Sequence, residues 1–109
     1  MSQFSLVLTT TDSVESARKM AKELVERKLA ACVNIIPGVE SVYRWKDAVE
    51  TSQEFLLIIK TSDQRFQTLR DAIRELHSYE LPECVEIKID NGSEPYLQWI
   101  AQSVASNAI

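Results

Sequence analysis

The sequence contains one imidazole, His77, and two thiols, Cys32 and Cys84. Imidazole and thiolate are the ligands that select Cu or Zn, and imidazole is also the acid–base group suited to neutral pH. These groups form a metal site only if the chain brings them together. Cys32 and Cys84 make no CxxC or zinc-knuckle spacing and fall in alternating apolar segments, where cysteine packs as a small hydrophobe. In a reducing compartment both would stay free thiols. His77 follows a helical stretch, where an imidazole commonly caps the helix end. Local sequence alone therefore gives all three a structural reading. The carboxylates Asp12, Glu80, Glu83 and Glu86 show no spacing diagnostic of a catalytic pair, and no phosphate-cradling glycine loop or nucleophile elbow occurs. Lys60 closes the run Ile58-Ile59. Three roles fit it: an ammonium extended into water, a partner for Glu80 or Glu83, or the cation that receives an anionic ligand.

Tyr43-Arg44-Trp45-Lys46 mixes aromatic and basic residues, a composition shared by protein interfaces and by strands that stack on nucleic acid. Charge separates the two. Lys and Arg number 12 against 16 Asp and Glu, a net charge of −4, whereas nucleic-acid binders carry a basic face. The segment reads as an interface strand, and no nucleic-acid partner is expected.

These residues must be positioned by regular elements. Phe4, Leu6 and Leu8 alternate with Ser5, Val7 and Thr9, which predicts a strand over 4–9. Asp12 followed by Glu15 resembles a capping box with Asp12 as N-cap of a helix over 13–28, whose apolar face carries Val14, Ala17, Ala21, Leu24 and Val25. Alternation returns over 31–46, interrupted by Pro37-Gly38. Proline cannot donate to a ladder and glycine often marks a bulge, so one long kinked strand is expected rather than two. Asp47 to Glu50 is the expected turn, and 53–61 a third strand buried on both faces. Phe66, Leu69, Ile73 and Leu76 predict a second helix over 63–76. A loop follows at 77–82, then a strand over 83–90 with Val85, Ile87 and Ile89 on one face. Asn91-Gly92 is a turn signal, and Ser93 starts a last helix with Pro95 in its first turn and Leu97, Ile100 and Val104 as its core face.

The order β-α-β-β-α-β is the ferredoxin-like α+β pattern, here with a long β2-β3 hairpin and an extra C-terminal helix. At 109 residues, with 45% hydrophobic and 26% charged, the chain suits one globular domain over 1–109. The longest apolar run, Phe55 to Ile59, is far below the ~18 residues of a membrane span, and Met1-Ser2-Gln3-Phe4-Ser5 has no basic leader region. No membrane association is expected. The outer hairpin carries Val42, Tyr43, Trp45 and Val49, an apolar ribbon that invites edge pairing unless covered. Another copy of the chain covers it most simply, so a homo-oligomer is expected.

Longer motifs sharpen this picture. Leu29-Ala30-Ala31-Cys32-Val33-Asn34-Ile35-Ile36-Pro37-Gly38-Val39 with Ser41-Val42-Tyr43-Arg44-Trp45 resembles the signature of the CutA family of divalent-cation tolerance proteins. Phe55 to Thr61 resembles that family's third strand. His77-x-Tyr79-Glu80-x-Pro82-Glu83 resembles its His-Pro-Tyr-x-x-Pro-Glu loop, and Tyr96-Leu97-x-Trp99 its C-terminal helix. The resemblance implies a ferredoxin-like subunit in a tight homotrimer, similar in architecture to PII signalling proteins. It also implies a bacterial cytoplasmic location and a link to copper and divalent-metal tolerance. It carries over no reaction, so no enzymatic activity and no catalytic residue is expected.

The departures from the family pattern bear on metal binding. Family members that bind copper use a Cys at the end of the first strand and a His-His pair before the Pro-Tyr loop. The matching positions here are Thr9 and Leu76, with only His77 kept, and Thr and Leu do not replace a thiolate and an imidazole. Ser78 stands where the family usually has Pro, and Asp47 where it usually has Gly. In a trimer cleft, Trp45, Lys60, Tyr79 and Glu83 become ligand-pocket candidates beside His77 as the metal candidate. The leading expectation is a homotrimer that binds copper or another divalent metal through His77. The alternative is a PII-like sensor that takes a small anion in the inter-subunit cleft through Lys60. An acylphosphatase-like enzyme ranks last, because Thr9-Thr10-Thr11-Asp12 supplies no anion-cradling Arg after the first strand. A purely structural scaffold needs no ligand at all.

Overall fold

Alternating residues of β1 (Phe4–Thr11) build the centre of the sheet, in a computed structural model that describes residues 3–105. Residues 1–2 and 106–109, the ends of the expected 1–109 domain and part of the expected leader-free N-terminus, lie outside the described residues. β2 (Cys32–Trp45), β3 (Ala48–Ser62) and β4 (Val85–Ile89) complete a four-stranded antiparallel sheet in the order β2-β3-β1-β4. With α1 (Val14–Glu26), α2 (Phe66–Leu76) and α3 (Glu94–Ser103), this is the expected ferredoxin-like arrangement with an added C-terminal helix.

One face of the sheet is sealed. Val7, Leu57 and Ile59 meet Ala17, Met20 and Leu24 of α1 and Leu69, Ala72 and Ile73 of α2, all of them buried. Burial of such side chains contributes about 1.5–3 kcal/mol each and is the main force holding both helices to the sheet. The other face is covered only in part. Ile100 of α3 and Val104 just past its end pack with Ala31, Phe4 and Leu97, and Arg65 Nε donates to the Val104 carbonyl at 2.8 Å, capping the end of α3. Val85 and Ile87, on this second face, stay exposed in the single chain, as do Ile36, Tyr96 and Trp99.

The hairpin of β2 and β3 projects from this body and gives the chain extents of 46 × 28 × 22 Å. Its register shifts between Ile36 and Val39, where Pro37 and Gly38 lie and Gly38 adopts a φ of 76°. The expected single kinked strand is present, and the kink is a bulge.

Five local expectations are corrected. The hairpin turn is Lys46-Asp47, not 47–50, because Trp45 already pairs with Ala48. Both turn residues have positive φ, 50° and 69°, the geometry whose twist matches paired strands. The N-cap of α1 is Ser13, not Asp12: its Oγ accepts from the Ser16 N–H at 3.1 Å. α1 then ends at Glu26, two residues short of 28, because Lys28 turns to φ 60° and the N–H groups of Lys28 and Leu29 close back on Val25 and Leu24. β3 is not buried on both faces, since Leu56 and Ile58 on its second face are only half-buried. The segment 63–65 is a short 3₁₀ turn leading into α2 rather than its first α-turn.

Thr9 generates a stability prediction. Its side chain is 0% exposed and Oγ1 has no hydrogen-bond partner among the described residues. A buried unpaired hydroxyl costs about 1–3 kcal/mol. Thr9→Val keeps the shape and removes the hydroxyl, so it raises stability by roughly 1 kcal/mol. Urea unfolding at fixed protein concentration checks this: a higher midpoint at unchanged slope is the expected result.

Candidate functional site

The bulge and the turn aim the hairpin so that its outer half faces the loop between α2 and β4. A cleft of about 640 Å³ lies between them. Ser41–Trp45 of β2 form one wall, Glu50 and Glu54 of β3 the floor, and Tyr79, Glu80, Leu81 and Glu83 of the loop the other wall, with Thr10 of β1 at the base.

Glu54 is the anchor of this cleft. It is only 8% exposed, although it is a carboxylate. Tyr79 donates its hydroxyl proton to Glu54 Oε2 at 2.6 Å, a short bond to a charged acceptor. Burial first, then the hydrogen bond to Glu54 and that carboxylate's charge, push ionisation of the Tyr79 phenol well above its ordinary range. Glu83 is shifted the same way for a carboxyl. Burial, then the charge of Glu54, hold its pKa above the ordinary 4.5. Glu50, Glu54, Glu80 and Glu83 line the cleft together with one guanidinium residue, Arg44, and this excess of acids favours cations over anions.

His77 stands behind Tyr79, their ring centroids 4.6 Å apart. Its Nε2 lies 2.6 Å from the Thr10 carbonyl, and its Nδ1 lies 3.1 Å from the Tyr79 N–H. A carbonyl only accepts, so Nε2 carries the proton; an N–H only donates, so Nδ1 carries the lone pair. This network fixes the neutral Nε2–H tautomer. Both ring nitrogens are engaged, and neither is free for a metal while these bonds stand.

The structure therefore brings Trp45, Tyr79 and Glu83 into one cleft and sets His77 just behind it. Lys60 is elsewhere: it is 60 − 54 = 6 residues along β3 from Glu54, roughly 20 Å at the rise of a strand. Its Nζ sits 5.7 Å from the Tyr96 ring centroid on α3. Cys32 pairs across the ladder with Lys60, and burial pushes the Cys84 thiol up, which keeps it protonated. Among the described residues no three His, Cys, Asp or Glu side chains converge as a metal cage. Sequence reasoning missed Glu54 and Glu50. The available signal was a lone acid directly ahead of the apolar run Phe55–Ile59, in a strand that needs no charge.

Comparison with known proteins gives the chain its family. The family of CutA1 divalent ion tolerance proteins matches residues 5–103. The chain belongs to it. The divalent-cation tolerance protein CutA of Thermus thermophilus is 46% identical over 98 residues, which span 90% of this chain and 95% of that relative. Its solved structure superposes with a TM-score of 0.91, at 44% identity, covering 94% of this chain and 99% of that one. The structure described as the periplasmic divalent cation tolerance protein CutA of Archaeoglobus fulgidus gives a TM-score of 0.90, at 39% identity, covering 93% and 98%. The chloroplastic protein CutA of Arabidopsis thaliana is 42% identical over 90% of this chain but only 54% of its own length, so the chain spans about half of that relative. The family is named for tolerance of divalent cations and not for a reaction.

Glu83 gives a pH-dependent prediction. Its raised pKa means that the fold favours the neutral carboxyl. Its contribution to stability is therefore fully present below the ordinary carboxylate range and is lost as pH rises through the raised value. Glu83→Gln keeps the neutral form at every pH. The variant is expected to match the parent near pH 4 and to exceed it at pH 7, as read by denaturant midpoints at both values.

Proposed function

We propose that this CutA family protein works as a homotrimer that binds a divalent cation in the carboxylate-lined cleft, as part of the response to copper or another divalent metal. The observation that carries the reading is the charge of that cleft: four carboxylates against one guanidinium. Carboxylate oxygens suit hard and borderline cations, whereas the imidazole–thiolate set suited to copper is not assembled here. Glu54 and Glu83 are the proposed ligands, and Trp45 and Tyr79 shape the walls. A binding role without catalysis fits the family's name. The anion-sensing alternative loses support from the position of Lys60 against Tyr96.

The trimer is supported by the apolar surface that one chain leaves open. Val42 and Val49 on the hairpin are each 66% exposed, and Val85, Ile87, Tyr96 and Trp99 are exposed elsewhere on the chain. Exposed apolar side chains in this number on a small domain favour burial against another chain. A neighbouring subunit across the cleft would supply the further ligands that one chain does not gather. Cytoplasmic residence completes the reading; the two unpaired cysteines support it. Among the described residues no helix is long and apolar enough to cross a membrane.

Two measurements test this. Light scattering after size exclusion is expected to give about three times 12.4 kDa, and a monomer mass would remove the inter-subunit site. Calorimetric titration with Cu(II), Zn(II) and Mn(II) is expected to show saturable binding that weakens at least tenfold in Glu54→Gln. Unchanged binding in that variant would move the cation away from the cleft.

A further inference from the structure

Three hydrogen bonds run in series through the loop that walls the cleft. The Nε2–H of His77 donates to the Thr10 carbonyl of β1, the Tyr79 N–H donates to His77 Nδ1, and the Tyr79 hydroxyl donates to Glu54 of β3. Loop 78–84 contains no helix or strand; Cys84 packs on the core where the loop meets β4, but Leu81 at its tip is 74% exposed, so hydrogen bonds rather than apolar burial hold the tip. The middle bond exists only while Nδ1 has a lone pair. We propose that His77 is a proton-operated latch: it fastens the loop to the sheet when neutral and releases Tyr79, and with it the cleft wall, when Nδ1 takes up a proton.

Imidazole is the side chain that changes charge between pH 5 and 8. Once Nδ1 is protonated, two N–H donors face each other at the position of the present 3.1 Å bond. The Tyr79 backbone must then turn away, or the ring must rotate and give up Thr10. Either way the series breaks at His77. Glu54 from β3 and Asp12 beyond β1 act on the Tyr79 hydroxyl, and Glu83 of the loop lies in the field of Glu54. On α2, the Ile73 carbonyl accepts the His77 backbone N–H at 2.9 Å, at the negative end of that helix. Arg74 and Glu75, in the last turn of α2, contribute opposite signs. The Tyr79 N–H is the donor set directly against the proton. The latch is independent of what occupies the cleft and holds if the cation reading fails.

The test exploits the single histidine: the isotopically labelled full chain gives one imidazole signal pair in NMR. At pH 8 the nitrogen shifts are expected to show the Nε2–H tautomer. Through the imidazole titration the Tyr79 amide is expected to lose at least tenfold of its exchange protection beyond the intrinsic pH effect, with the same midpoint. The Leu29 amide, held by the Leu24 carbonyl at the end of α1, serves as the control and is expected to stay protected. His77→Asn places an amide oxygen where Nδ1 stood. It is expected to keep Tyr79 protected at both ends of the pH range. An Nδ1–H tautomer at pH 8, an imidazole that does not titrate before the protein unfolds, a Tyr79 amide indifferent to the titration, or a pH response that persists in His77→Asn would each overturn the latch.

Discussion

The constraint on which the rest depends is the unequal pairing of β1. On one edge β3 accompanies it along its whole length, from Phe4↔Ser62 to Thr11↔Phe55. On the other edge β4 stops at Leu8↔Val85. Beyond Leu8 that edge of β1 has no strand beside it, yet buried backbone groups must be paired. His77 meets the requirement by donating to the Thr10 carbonyl. The shortness of β4 thus creates the place where the loop is fastened, and the fastened loop creates the cleft. The imidazole stands in for a strand, and this accounts for both of its nitrogens before any ligand is considered.

The cleft carries a second tension. Glu54 is buried, and the bulge after Ile36 brings Val39, not the next residue in even register, opposite it. A buried carboxylate needs a donor, and Tyr79 supplies one. Glu83 then lies in the field of that carboxylate and is held partly toward its neutral form. The arrangement keeps unspent negative charge beside a solvent-open cleft. The Tyr79 hydroxyl satisfies one oxygen of Glu54.

Much of the fold was legible because its periods are clean. Period-two alternation marked β1 and the kinked β2, and Phe66, Leu69 and Ile73 marked α2. The errors fell where one hydrogen bond decides between neighbours. Ser13 outcompetes Asp12 as a cap by its reach to Ser16. The Lys46-Asp47 turn is tight because both residues accept a left-handed backbone that Gly or Asn would more often supply. The site was less legible than the fold. His77, Tyr79 and Glu83 stand out as types within a short loop, but Glu54 enters through strand register, which no local pattern displays. Lys60 looked like a cleft residue by charge and is removed from it by six positions along the same strand.

The two-residue turn also sets an order of events. Pairs in the β2-β3 hairpin close over short stretches, from Trp45↔Ala48, 3 apart, to Cys32↔Lys60, 28 apart. The β1-β3 pairs span 44 to 58 residues, and Leu8↔Val85 spans 77. Loop-closure entropy grows with span, so local pairings form in microseconds while distant ones wait. The arm therefore zips before β1 has arrived to complete the sheet. For that interval a nearly finished ribbon bearing Val42, Tyr43 and Val49 is displayed by a chain whose body is still assembling. Pairing with the chain's own β1 and mispairing with another chain then begin from the same ribbon, and local protein concentration during synthesis becomes the variable that apportions them.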